Sequence, residues 1–114
     1  MEIPKPTDGD RKRFHDLTPD DVRVEIKPMF GNLGAFVNGN MFMGLFGPDV
    51  GVKLAEADGE TLLAAGGGPF GPEGRPMGGY VTLPAGLSQA EAKRWAAASL
   101  EYVAAQPPKK KKKG

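Results

Sequence analysis

Asn38-Gly39 is the feature that most narrows what this chain can fold into. A type I′ turn needs positive φ at both central residues, and Asn followed by Gly meets that demand with the least strain. Apolar segments lie on both sides, residues 34–37 before the dipeptide and 40–46 after it. An antiparallel hairpin follows, with Val37 opposite Asn40, Phe36 opposite Met41 and Ala35 opposite Phe42. On that register the returning strand puts Met41, Met43 and Leu45 on one face and Phe42 and Phe46 on the other.

The segments around the hairpin extend it into a sheet. Val22, Val24 and Ile26 alternate with Arg23, Glu25 and Lys27, the period-two pattern of a strand with one wet face. Pro28 has no amide hydrogen to donate, so that strand ends there or lies at an edge. Gly47-Pro48-Asp49 turns the chain, and residues 50–54 make a fourth strand, completing an antiparallel meander. Residues 55–65 then change to Ala, Glu and Leu and predict a helix, in which Gly59 costs about 1 kcal/mol relative to Ala and which Gly66 stops. Residues 66–79 hold seven Gly and three Pro, too many breakers for a helix or an interior strand, and predict a loop. Residues 80–83 return to strand chemistry.

Two further helices complete the plan. Ser88-Gln89-Ala90-Glu91 fits a capping box. Behind it Trp95, Ser99 and Tyr102 form one stripe and Ala92, Ala96, Leu100 and Val103 another, with the Ser99 hydroxyl expected to bond the carbonyl one turn back. A short helix is predicted over 10–17 with Asp10 as its cap. The expected fold is α+β: one antiparallel sheet, a β-meander plus a later strand, packed by helices. The chain divides into a flexible leader (1–9), one domain (10–105) and a disordered lysine-rich tail (106–114).

At 114 residues the chain has the length of a single domain. It contains no Cys, which fits a reducing compartment and excludes disulfides and thiolate zinc sites. No apolar run approaches the roughly 20 residues of a membrane span, and the N-terminus lacks a signal-peptide core. A cytoplasmic location is therefore expected. Five of the 15 basic residues are Lys109, Lys110, Lys111, Lys112 and Lys113, and all 14 acidic residues precede them. The body is thus net acidic and ill suited to a phosphate backbone, so nucleic acid is expected to be contacted, if at all, only by the tail.

The chemistry-bearing residues are few. His15 is the only imidazole. Asp8, Asp10 and Asp16 do not have calcium-loop spacing, Ser88 is committed to its cap, and Ser99 has no His near it in sequence. Gly66, Gly68 and Gly71 spell G-x-G-x-x-G, but after a helix instead of between a strand and a helix, which is the wrong place for a dinucleotide. No catalytic residues, cofactor or metal are expected. If the glycine-rich loop takes a small molecule, Phe70, Arg75 and Tyr80 are its candidate contacts, an aromatic wall with one cation. Phe42, Phe46 and Trp95 are candidates for an interface.

Met29-Phe30-Gly31 with Gly34, then Met41-Phe42, Val52-Lys53-Leu54, Pro69-Phe70, Pro76-Met77, Tyr80 and Leu83-Pro84, followed by a Trp-bearing helix, resemble the N-terminal domain of the TfoX/Sxy family. The resemblance runs from about residue 22 to 103. It implies an α+β fold with an antiparallel sheet, no enzyme activity, and, in full-length relatives, regulation of natural competence together with the cyclic-AMP receptor protein at promoters. The chain stops where the second, helical domain of those regulators begins. The function expected is a protein-binding regulatory module, with a ligand-binding or enzymatic use of loop 66–79 and polyanion contact through the tail as alternatives.

Overall fold

In the computed structural model, which describes residues 5–29, 31–71, 74 and 77–107, Asn38 and Gly39 have φ of 54° and 80°, the pair of positive values the turn requires. They join β2 (Asn32–Val37) to β3 (Asn40–Phe46). On either side lie β1 (Val24–Met29) and β4 (Asp49–Lys53), so the meander forms as the turn chemistry predicts. At the β3–β4 turn, the Gly47 amide donates to the side chain of the buried Asn32 at 2.8 Å, which fastens this turn to β2.

After β4 the chain forms α2 (Glu56–Ala64), then β5 (Gly68–Pro69), then β6 (Tyr80–Thr82). The sheet has six strands in the order β1-β2-β3-β4-β6-β5, with every neighbouring pair antiparallel. The segment predicted to be all loop therefore contributes a strand. It is two residues long and sits at the edge, where Pro69 costs no ladder bond. Gly66, at φ 110°, stops α2 as expected.

The hairpin register is as predicted for its first two pairs and then shifts. Phe36 faces Met41 and Val37 faces Asn40, but Ala35 faces Met43, leaving Phe42 as the extra residue of a β-bulge. The bulge corrects the face assignment. Met41 and Phe46 share a side with Phe36, whereas Met43 and Leu45 lie on the other side, in the core. Phe42 is fully buried, so it does not line an interface.

The core lies between the sheet and the helices. α3 (Gln89–Ala104) packs on β2, β3 and β4 through Ala92, Ala96, Ser99, Leu100 and Val103, against Val37, Met43, Val50 and Val52. The Ser88–Glu91 capping box forms as predicted. Ser99 does not bond back along its own helix: its Oγ lies 2.6 Å from the Phe42 carbonyl and 2.7 Å from the Lys53 carbonyl. Met43–Val52 is the last ladder pair of β3 and β4 on this side, and Phe42 and Lys53 are the next positions. The hydroxyl's single hydrogen is thus shared between two carbonyls that the ladder no longer serves, where an unpaired carbonyl is costly.

The N-terminal helix α1 (Asp8–Leu17) seats Phe14 and Leu17 in the same core. It starts two residues before the predicted boundary, with Thr7 as its cap and Asp10 as the third helical residue of a capping box. The T-x-x-D spacing places the carboxylate where it reaches back to the Thr7 amide, at 2.9 Å.

Candidate functional site

The sheet face opposite α3 carries Phe70 and Tyr80, two of the three contacts that the sequence singles out for a ligand. Gly34 pairs with Gly44 and Gly44 with Gly51, so a row of three glycines crosses β2, β3 and β4. Large side chains fill the space above it. A methyl built on Gly51 would overlap the Phe70 ring, and one on Gly44 would lie 3.2 Å from it. At Gly34 it would come within 2.9 Å of Met29 Sδ and of Phe36 Cε1. Glycine inside a strand marks the close approach of another group, and at Gly44 and Gly51 that group is an aromatic ring delivered by the loop.

Phe70 is 3% exposed and plugs the row at Gly44 and Gly51. Its position is fixed by the chain around it: the Met77 amide donates to the Phe70 carbonyl at 2.7 Å, and the Thr82 hydroxyl donates to the Pro69 carbonyl at 2.7 Å. Tyr80 lies beside it, ring centroids 6.0 Å apart, and Phe46 meets its edge at 6.3 Å. The Tyr80 hydroxyl donates to the Met41 carbonyl at 2.7 Å, and burial pushes its pKa up to about 12. The Lys53 ammonium stands 5.9 Å from the Tyr80 ring centroid and the Lys27 ammonium 5.3 Å from that of Phe36. Phe70 and Tyr80 are thus brought together as the sequence reading paired them, but the Phe70 ring faces the sheet. Arg75 and Lys109–Lys113 lie outside the described residues.

His15, one hydroxyl and two carboxylates meet on the other side, between α1 and β1. A hollow of about 330 Å³ is lined by His15, Thr18, Pro19, Asp20, Asp21, Val24 and Ile26. Two of its four polar side chains, those of Thr18 and Asp21, are engaged elsewhere. Thr18 Oγ1 donates to the Phe14 carbonyl at 2.7 Å. Asp21 accepts from Arg23 Nε at 3.0 Å and Nη2 at 2.8 Å, and these bonds hold its carboxyl down at about 2. Arg23 also donates to Glu101 at 2.9 Å, tying the turn before β1 to α3. Among the described residues no cluster of three His, Cys, Asp or Glu side chains could hold a metal ion.

The glycine row escapes a reading by motif. Its signal is three strand-interior glycines, each a weak mark alone, which only the strand register aligns. Trp95 and Phe46, both predicted interface candidates, are partly buried, Trp95 against the core. No helix among the described residues is long and apolar enough to cross a membrane.

Residues 17–103 match the model of the TfoX N-terminal domain. The chain belongs to that family. The match begins at the last residue of α1 and ends one residue before the end of α3, so the glycine row, Phe70 and Tyr80 all lie within it. Comparison with curated proteins and with solved structures returned no match. The resemblance read from the sequence, and the antiparallel α+β fold it implies, both stand.

Proposed function

We propose that this TfoX N-terminal domain is a non-enzymatic regulatory module that works by binding another protein, in the cytoplasm and in the service of transcription. Family membership over residues 17–103 carries the reading. The commitments of the side chains support it: Ser88 caps α3, Ser99 serves two carbonyls, Thr18 serves one, and Asp21 is held by Arg23. A nucleophilic hydroxyl must yield its proton to a base and a general base must keep a lone pair for substrate, whereas Thr18 and Ser99 give their protons to backbone carbonyls and Asp21 accepts from Arg23. The acidic body favours a protein partner over nucleic acid. By analogy with the competence regulators, that partner belongs to the promoter-bound machinery.

The small-molecule alternative has the adjacency of Phe70 and Tyr80 in its favour, but the first ring is buried on glycine and the second hydroxyl is bonded to Met41. One pair of experiments separates the readings. Affinity capture with the tagged chain is expected to retain a protein component of the transcription apparatus. A thermal-shift screen of metabolites is expected to show no stabilisation, whereas a ligand at 100 times its Kd would add about 2.7 kcal/mol. A reproducible ligand without a protein partner would reverse the conclusion. Loss of salt-sensitive DNA retention on deleting Lys109–Lys113 would instead support contact through the tail.

A further inference from the structure

We infer that β1 is the interface of a two-fold homodimer, paired antiparallel with the β1 of a second copy and centred on Ile26. This goes beyond the regulatory reading and does not depend on it.

β1 is the outermost strand of the sheet. Met29 and Asn32 close the two-residue connection to β2, and the closing pair of such a hairpin exchanges hydrogen bonds. Residues 25, 27 and 29 therefore bond to β2, while 24, 26 and 28 turn their amides and carbonyls outward. Two features limit the free edge. The Val24 amide is bonded to the Asp21 carbonyl at 3.0 Å, and Pro28 has no amide to offer. Ile26 is left as the one residue of the strand with both an outward donor and an outward acceptor free of these limits. A second β1 placed on the two-fold exchanges both bonds through Ile26.

The charges choose the same register. With Ile26 opposite the partner's Ile26, Glu25 stands opposite the partner's Lys27 and Lys27 opposite the partner's Glu25. Centring the pair one residue earlier puts Glu25 against the partner's Glu25, and one residue later puts Lys27 against the partner's Lys27. Like charges directly opposite are destabilising. Within one chain Glu25 and Lys27 make only a loose pair, 3.5 Å apart with both side chains at least half exposed, so they are free to exchange partners.

The apolar side agrees. Val22, fully exposed, precedes Val24 and Ile26 on the alternation, and the hollow lined by Pro19, Val24 and Ile26 lies beside this edge. In the Ile26-centred register Val24 meets the partner's Pro28, an apolar pair on the hollow side. The opposite end of the sheet is the two-residue β5 carrying Pro69, so pairing closes as a dimer instead of running on as a fibre. With so short a ladder the association is weak and concentration-dependent.

Sedimentation equilibrium over a wide concentration range tests this. The wild-type mass is expected to rise from 12.1 kDa toward twice that value, with the Ile26 amide gaining protection from hydrogen exchange as concentration rises. Glu25→Lys and Lys27→Glu each set like charges across the two-fold and are expected to hold the monomer mass, with circular dichroism unchanged. The combined swap restores complementarity and is expected to restore the dimer. A wild type that stays monomeric at millimolar concentration, a dimer indifferent to the single reversals, or a double swap that remains monomeric would each overturn the inference.

Discussion

The two faces of the sheet solve the same packing problem in opposite ways. On the helix-covered face the strands supply the bulk, Val37, Met43, Val50 and Val52, and α3 brings small residues, Ala92, Ala96 and Ser99, that let its backbone approach. On the other face Gly34, Gly44 and Gly51 leave room, which is filled over Gly44 and Gly51 chiefly by Phe70, from outside the meander, and over Gly34 by Met29, Phe36 and Met41. Close packing needs a large group against a small one, whichever element carries which. The difference lies in what supports the large group. A helix holds its residues by its own hydrogen bonds, whereas Phe70 depends on a glycine-rich loop and a few bonds to β6 and Met77.

The comparison is open to direct attack. Phe70→Ala should have the largest effect, because it leaves a cavity over Gly44 and Gly51. A loss of about 3–5 kcal/mol in urea unfolding is expected, and a loss under 1 kcal/mol would mean that the ring is not seated. On the helix side Ser99→Ala strips the Phe42 and Lys53 carbonyls of the one hydroxyl hydrogen they share, at little cost in volume. That should destabilise by about 1–3 kcal/mol, and a neutral result would show that the two strand ends find another partner.

Tyr80→Phe tests the edge of the plug. It removes one hydrogen bond, to Met41, and about 0.5–1.5 kcal/mol. Because the folded-state pKa is raised, to about 12 from 10.0, the unfolded chain releases this proton first as pH rises. The contribution is intact below pH 10 and is lost between pH 10 and about 12. The stability difference between wild type and Tyr80→Phe should shrink across that window, and a constant difference would contradict the assignment.

The smallest effect is expected at Gly59, a buried glycine on the helix side. A methyl there meets only Val81, at 3.7 Å, so Gly59→Ala should stabilise by about 0.5–1 kcal/mol. A destabilised variant would show that this face, too, has a close approach that depends on glycine.

What the sequence discloses follows from how local each signal is. Asn38-Gly39, the Ser88–Glu91 box and Gly66 each act within a few residues, and each appears where its chemistry predicts. The α1 boundary was obscured because Asp10 reads equally well as a cap and as the third residue of a box begun by Thr7. The register beyond Met41 was out of reach for a different reason. Nothing near Phe42 announces the bulge, whose carbonyl is met by Ser99, 57 residues along the chain. The candidate site behaves likewise. Phe70 and Tyr80 could be named from their types, but the ring's burial depends on Gly44 and Gly51, glycines in two strands that only the register brings side by side.

Central to the account is the seating of Phe70 on Gly51, and a double-mutant cycle measures it. Gly51→Ala alone should destabilise by more than about 1 kcal/mol, since the new methyl displaces the ring. In the Phe70→Ala background the same change should be nearly neutral, giving a coupling of about 1–3 kcal/mol. Strict additivity would contradict the account and return Phe70 to the list of groups free to meet a ligand.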